Sequence, residues 1–155
     1  MKWTSIGITV LVASSVLGCS TTSSENAGST ADVPEPSGDP YQLEVRAPAT
    51  SKVGAEATTE VVVTPGTGYK INVDYPAKLL LQKVPEGTKV ASQTVTKEQM
   101  QVDKARLVVP VRFTPEAPGE KQFEGELRFS VCTPQFCKMP TERVSWSTVV
   151  EAAGQ

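Results

Sequence analysis

The chain has 155 residues, with 15 Lys and Arg against 17 Asp and Glu, a formal net charge of −2, and no histidine. Without histidine, Ser-His and Cys-His nucleophile pairs and a histidine general base are excluded. The interspersed charges form no basic stripe, which argues against nucleic-acid binding. No pair of carboxylates has a distinctive context, and the glycines of TPGTGYK (residues 64–70) lack the following helix that a phosphate-binding loop requires. If the protein is an enzyme, thiol–disulfide exchange is therefore the only chemistry that its residues support, and no cofactor is expected.

The amino terminus has the features of a secretory signal peptide. Lys2 supplies a positive charge, and the stretch from Ile6 to Leu17 is a run of 12 nearly apolar residues. A bilayer-spanning helix needs about 20 apolar residues, so this run is too short to cross a membrane and fits a signal core instead. We therefore expect residues 1–18 to be removed on export.

The signal ends in VLGC (residues 16–19), which resembles the lipobox of bacterial lipoproteins. The resemblance implies cleavage before Cys19, thioether lipidation of its sulfur and acylation of its amine, which together anchor the chain in a membrane. Ser20 follows, where lipoproteins held at the inner membrane of enteric bacteria carry aspartate. The outer membrane is therefore the favoured location, with the domain facing the periplasm or the cell surface. The alternative is an ordinary secreted protein in which Cys19 is free or removed.

Residues 19–40 are predicted to be a flexible linker. Between Ser20 and Pro40 the only large aliphatic residue is Val33, and four acids but no bases lie among Ser, Thr, Gly and Pro. Such a composition cannot bury enough apolar area to offset the chain entropy. A flexible chain of this length reaches roughly 25 Å, so the folded part is expected to stay close to the membrane surface.

Residues 41–152 are predicted to form one all-β domain, followed by a short tail at 153–155. Apolar residues alternate with polar ones along most of this region, as in antiparallel strands with one buried face. About seven to nine short strands separated by turn sequences predict an immunoglobulin-like antiparallel β-sandwich. Only Thr94–Ala105 is ambiguous, with extended chain or loop favoured over a helical turn. The alternating residues are Tyr41, Leu43, Val45, Ala57, Thr59, Val61, Val63, Tyr69, Ile71, Val73, Leu79, Leu81, Leu107, Val109, Val111, Phe113, Leu127, Phe129, Val131, Val144, Trp146, Thr148 and Val150.

The stretch SVCTPQFCKMP (residues 130–140) contains the two cysteines that lipidation leaves free. Cys132 is predicted to end one strand and Cys137 to begin the next, with the four residues TPQF as a hairpin loop. Facing residues of an antiparallel pair have Cα atoms about 4.5–5.5 Å apart, a separation that a disulfide accepts. In the oxidising environment of an exported protein we therefore expect a Cys132–Cys137 disulfide.

Three roles for this pair are open on the residues alone. A structural disulfide that closes a ring of about six residues would stabilise the fold by roughly 2 kcal/mol. An exchange-active disulfide fits the position at a hairpin tip, where Phe136 and Met139 offer apolar surface for a partner protein and Pro140 stiffens the chain. The third and weakest role is Cu(I) binding by the soft sulfur atoms of Cys132, Cys137 and Met139. No other metal site is predicted.

The stretch GELRFSVCTPQFCKMPTERVSW (residues 125–146) resembles the amino-terminal, immunoglobulin-like domain of the thiol:disulfide interchange protein DsbD. That family has a strand, a cysteine, a short turn, a second cysteine and a proline soon after, and Cys132, Cys137 and Pro140 match them. Residues 47–76 also resemble the family's opening strands, with a Gly-aromatic step at Gly68-Tyr69. The best-known members have one more residue between their cysteines than this chain has.

The resemblance implies that Cys132 and Cys137 form a redox pair that accepts electrons from a partner and passes them to periplasmic disulfide isomerases. It also makes Tyr69 and Tyr75 candidates for the aromatic cap that shields the pair in that family. A thioredoxin-like periplasmic protein is therefore the expected partner. The alternative is a redox-inert interaction domain that has kept the fold and the bridge but lost the exchange.

Overall fold

The computed structural model describes residues 35–153, which form β-strands, turns and one short 3-10 helix at Lys97–Gln99. The predicted signal peptide, the lipidation site Cys19 and the linker up to residue 34 lie outside the described residues. The strands are β1 Tyr41–Arg46, β2 Thr50–Lys52, β3 Ala57–Pro65, β4 Lys70–Ile71, β5 Lys78–Lys83, β6 Thr88–Val90, β7 Thr94–Thr96, β8 Gln101–Val102, β9 Leu107–Pro115, β10 Gly119–Arg128, β11 Val131–Cys132, β12 Cys137–Lys138 and β13 Thr141–Glu151.

Two sheets form a sandwich. The first has the strand order β1-β3-β9-β6, with β8 also paired to β9, and the second has the order β2-β13-β10-β5-β7. The strand pairs in both sheets are antiparallel, except that β2 runs parallel to β13. The predicted all-β, immunoglobulin-like antiparallel sandwich is therefore confirmed. Its strands number more than predicted because seven of the thirteen segments have only two or three residues.

The core lies between these two sheets. Phe113 of β9 contacts Phe123 of β10 with ring centroids 5.0 Å apart, and Phe123 in turn stacks on Trp146 of β13 at 5.1 Å. Burial of one such side chain stabilises a fold by about 1.5–3 kcal/mol, so these rings join the two sheets firmly. Further fully buried residues are Val61, Val63, Leu79, Leu107, Val109, Val111 and Leu127.

A third, three-stranded sheet of order β12-β11-β4 begins where β10 has ended. Leu127, Phe129 and Val131 are all fully buried, so the inward-facing alternation continues from β10 into β11. The backbone pairing changes, however, from β5 and β13 to β4 and β12. The chain thus leaves one sheet near Phe129 and builds a small sheet that carries the cysteine hairpin.

Two local predictions can be compared with the structure. The segment Thr94–Ala105 contains β7, the 3-10 helix and β8, so it combines the favoured extended chain with one helical turn. The alternation at residues 69–73 yields only β4, because Asn72 begins a turn in which its side chain accepts a hydrogen bond from the Asp74 backbone N–H at 3.1 Å. Within residues 35–153, no helix is long and apolar enough to cross a bilayer.

Candidate functional site

A disulfide joins Cys132 of β11 to Cys137 of β12. The two residues face each other in the antiparallel ladder, as predicted, and their Cα atoms are 4.0 Å apart, somewhat closer than the spacing expected for such a pair. Cys137 is exposed, whereas Cys132 is half-buried. Cys137 is therefore the more accessible half of the bond.

The disulfide lies on the outer face of the small sheet. Cys132 pairs with Lys70 of β4 on one side and with Cys137 on the other, so these three residues form one row across the sheet, which we call the disulfide row. Residues paired in this way point to the same face. In the adjacent row Ile71 and Val131 are buried, so the disulfide row points away from the core.

The loop between the cysteines is held by its own hydrogen bonds. The Thr133 backbone N–H donates to the Phe136 carbonyl at 2.8 Å. The Thr133 hydroxyl oxygen accepts from the backbone N–H groups of Gln135 and Phe136, each at 3.2 Å. Such a side-chain-to-backbone turn fixes the loop locally. The hairpin therefore keeps part of its shape independently of the sulfur–sulfur bond.

Aromatic packing fastens the hairpin to the sandwich. The Phe136 ring meets the buried Tyr69 ring edge-on, with centroids 6.2 Å apart. At the entry to the hairpin, the fully buried Phe129 meets Tyr41 edge-on at 4.8 Å. Phe136, predicted as a neighbour of the pair, thus packs towards the core, and Tyr69 is the aromatic residue brought to it.

Ser130 is the polar group next to the half-buried sulfur. Its side chain is 1% exposed, and its hydroxyl oxygen lies 3.8 Å from Cys132 Sγ. A disulfide sulfur carries no proton, so the hydroxyl is the donor in this contact. The same hydroxyl is placed to donate to a Cys132 thiolate, and hydrogen bonding to a charged form favours that form.

A groove of about 450 Å³ opens beside the disulfide. It lies between the hairpin and the segment that includes β4, and the side chains of two exposed lysines are among its walls. Because both cysteines line it, the groove offers a route from solvent to the disulfide. Its lining residues are Gly68, Lys70, Ile71, Asn72, Val73, Asp74, Lys104, Cys132, Thr133, Pro134 and Cys137.

Residues 35–40, which the sequence places at the end of the linker, lie against the domain next to this site. The Glu35 carboxylate accepts a hydrogen bond from the Tyr69 hydroxyl at 3.1 Å and forms an ion pair with Lys138, the residue after Cys137. These two donors, Lys138 first, hold the pKa of Glu35 below its ordinary value of 4.5. The same contact raises the pKa of Lys138 above 10.5.

Two glycines let this segment approach closely. A Cβ on Gly66 would lie 1.9 Å from the Asp39 carbonyl oxygen, and one on Gly68 would lie 3.1 Å from the Pro36 ring. The Gly66 N–H also donates to the Pro40 carbonyl at 2.9 Å. Sequence reasoning missed this docking. The available signal was the pair of glycines in TPGTGYK (residues 64–70), since glycine permits close backbone approach.

The other predicted neighbours lie just beyond the bond. Met139 is 65% exposed, and the Pro140 carbonyl accepts a weak hydrogen bond from the Phe129 N–H at 3.4 Å. Tyr75, the second candidate for a cap, is half-buried and packs at the edge of the core.

Among the residues from 35 to 153, no cluster of three His, Cys, Asp or Glu side chains could hold a metal ion. The disulfide and its groove form the candidate site of this all-β, immunoglobulin-like domain.

No protein-family model matches the chain, and no curated protein matches it. Among solved structures, it is similar to a cohesin module from a Clostridium perfringens family 33 glycoside hydrolase, with 12% identity, a TM-score of 0.44, and coverage of 73% of this chain and 98% of that one. It is also similar to AggA, the major subunit of Escherichia coli aggregative adherence fimbriae type I, with 11% identity, a TM-score of 0.36, and coverage of 73% of this chain and 97% of that one. A third similar structure is murine CRIg, with 10% identity, a TM-score of 0.33, and coverage of 74% of this chain and 98% of that one. At these values the similarities carry no argument about function.

Proposed function

We propose that the domain takes part in thiol–disulfide exchange through Cys132 and Cys137. The observation that supports this proposal is the position of the bond. It lies at a hairpin tip, on the outer face of a small sheet, with Cys137 exposed and a groove leading to both cysteines. Reachable disulfides are the ones that exchange, because an attacking thiolate must approach the sulfur directly.

The proposed exchange begins with attack by a partner thiolate on Sγ of Cys137, the more exposed of the two residues. The bond between the two sulfurs breaks, its electron pair leaves on Cys132 Sγ, and a mixed disulfide links Cys137 to the partner. A second partner thiolate then attacks the partner's own sulfur and releases Cys137 as a thiolate. The partner ends as a disulfide, and the two protons its thiols have lost are taken up by Cys132 and Cys137, which end as a dithiol.

Ser130 assists the first step as a positioning residue. Its buried hydroxyl, 3.8 Å from Cys132 Sγ, donates to the thiolate that forms there. A better-stabilised leaving thiolate leaves faster. We therefore propose different roles for the two cysteines: Cys137 is attacked, and Cys132 is the leaving thiolate.

The partner we propose is a periplasmic thioredoxin-like protein, with this chain held at a membrane through a lipid on Cys19. The outer membrane is the proposed location, on the basis of Ser20. Incorporation of labelled palmitate into the native chain but not into a Cys19→Ser variant would support the anchor. Equal labelling of both chains would refute it.

Trapping of a mixed disulfide tests the exchange proposal and the direction of attack. Each single-cysteine variant is first converted to its mixed disulfide with thionitrobenzoate, and a thioredoxin-fold protein whose second active-site cysteine is replaced by serine is then added. In Cys132→Ser the partner's remaining thiolate should attack Cys137 Sγ and release thionitrobenzoate, so that a mixed disulfide between Cys137 and the partner accumulates. Cys137→Ser leaves only the half-buried Cys132 and should trap several-fold less. Equal trapping would overturn the assigned direction, and trapping no faster than with an unstructured cysteine peptide would overturn the exchange.

The redox-inert alternative also has an observation in its favour. The Thr133 hydrogen bonds and the Phe136–Tyr69 contact hold the hairpin in place, so the disulfide is one of several restraints on the same loop. A disulfide that only restrains the loop does not need to be reduced in the working protein. The reduction potential separates the two functions, because structural bonds have potentials below about −300 mV.

A further inference from the structure

The groove beside the disulfide carries positive charge that no residue between 35 and 153 pairs. Lys70 and Lys104 both line the groove, both are exposed, and neither forms an ion pair with any residue between 35 and 153. Lys138, also close to the disulfide, is already paired with Glu35. Asp74 is the single carboxylate among the groove-lining residues. Free ammonium groups therefore outnumber carboxylates in the groove.

The backbone places both lysines beside the sulfurs. Lys70 is the direct ladder partner of Cys132 and belongs to the disulfide row. Neighbouring strands in a sheet are about 5 Å apart, so the Lys70 side chain starts one strand away from the Cys132 side chain. On the other side of β4, the Lys104 carbonyl accepts a hydrogen bond from the Ile71 N–H at 3.0 Å. The two cations therefore flank the path that leads through the groove to the disulfide.

We infer that the groove receives a partner segment in which carboxylate side chains flank the reactive cysteine. This inference rests on the proposed exchange function and names the chemistry of its partner. Opposite charges attract most strongly where water is partly excluded, as in a groove. The lysines would hold the partner's carboxylates and also attract the incoming thiolate, which is itself an anion.

Small thiols of different charge test this inference on the intact folded domain. We would measure second-order rate constants, per thiolate, for reduction of the Cys132–Cys137 bond by mercaptoethanesulfonate, 2-mercaptoethanol and cysteamine. The anionic thiol should react fastest and the cationic one slowest, with about a tenfold spread at low ionic strength. Because salt screens such attraction, the spread should shrink towards one in about 1 M salt.

Variants assign the effect to the groove. Lys70→Glu combined with Lys104→Glu should reverse the order of the three thiols, and Asp74→Asn should widen the native spread. Lys78→Glu is the matched control, because Lys78 is an exposed lysine of β5 that does not line the groove. It should leave the order and the spread unchanged.

Equal rates for the three thiols, or a spread that Lys78→Glu alters as much as the groove variants do, would overturn the inference. Both Lys70 and Lys104 are exposed, so the charge reversal should not prevent folding. The Asp74→Asn variant tests the same charge effect independently, because it removes one negative charge and adds none. If the three thiols react at equal rates but the reduction potential of the Cys132–Cys137 bond is at or above about −230 mV, the charge inference fails and the proposed exchange function is retained. If the reduction potential is below about −300 mV but the thiols still react in the order of their charge, the electrostatic effect of the groove is retained and the exchange function is rejected.

Discussion

The ammonium group of Lys138, one residue after Cys137, is ion-paired with the carboxylate of Glu35, 103 positions earlier in the chain. This contact joins the segment that precedes the first strand to the hairpin that carries the disulfide. The Tyr69 hydroxyl donates to the same carboxylate, and the Tyr69 ring packs on Phe136 within the hairpin loop. The end of the predicted linker is thus fixed at the candidate redox site.

The contact predicts a pH dependence of stability in the acid range. Because Lys138 and Tyr69 hold the pKa of Glu35 below 4.5, the unfolded chain binds a proton there before the folded chain does. The contribution of Glu35 to the free energy of unfolding is therefore fully present above pH 4.5 and is lost as the pH falls through the folded pKa. Denaturant unfolding of the native chain and of Glu35→Gln from neutral to acid pH measures it.

The native chain should be modestly more stable than Glu35→Gln near neutral pH, and the two should converge in acid. The effect is small because Glu35 and Lys138 are partly exposed and salt screens them. Glu56→Gln is the control, since Glu56 is exposed and forms no ion pair among residues 35–153. Parallel stability curves for the native chain and Glu35→Gln at every pH would contradict the assigned contact.

Removal of the disulfide should weaken the domain without unfolding it. The ring between Cys132 and Cys137 is short, so the double Cys→Ser variant should lose about 2 kcal/mol of unfolding free energy. The Thr133 hydrogen bonds and the buried Val131 stay in place. Chemical reduction of the native chain should cost a similar amount. A native chain that unfolds on chemical reduction alone, or one that loses no stability on reduction, would contradict this account.

Alternation was sufficient to predict the sandwich because every second residue of its long strands is buried between the sheets, although β3 and β9 also bury Val62 and Val108 on the opposite face. The same signal failed where Leu127, Phe129 and Val131 keep pointing inward while the backbone changes partners. A period of two reports which face a residue lies on and carries no information about which strand lies alongside. The short strands β4, β11 and β12 have two residues each and cannot show a period at all.

The cysteine bond was predictable, whereas its surroundings were not. Four intervening residues with a proline define a hairpin locally, so Cys132 and Cys137 could be paired from their spacing. The groove depends on β4 pairing with β11, which brings Lys70 beside Cys132 from 62 positions away (132 − 70). The Glu35–Lys138 contact likewise joins distant segments. Contacts between polar residues that are distant in sequence produce no repeating pattern, so a single sequence does not predict them.

Phe136 should contribute to stability through Tyr69. Phe136→Ala removes a half-buried ring and its edge-on contact at 6.2 Å, with an expected loss of about 1–2 kcal/mol of unfolding free energy. Denaturant unfolding of the oxidised protein measures this loss. Phe136→Leu should recover part of it, and Gln135→Ala, at an exposed position of the same loop, should change little. No loss in Phe136→Ala would show that the ring does not fasten the hairpin.

The reduction potential of the Cys132–Cys137 bond tests the central claim most directly. It is measured by equilibrating the folded domain in glutathione buffers of graded potential and counting free thiols by alkylation and mass. An exchange-active bond should have a potential at or above about −230 mV, within the range of known exchange proteins. A potential below about −300 mV would contradict the claim and identify the bond as a structural link of the hairpin.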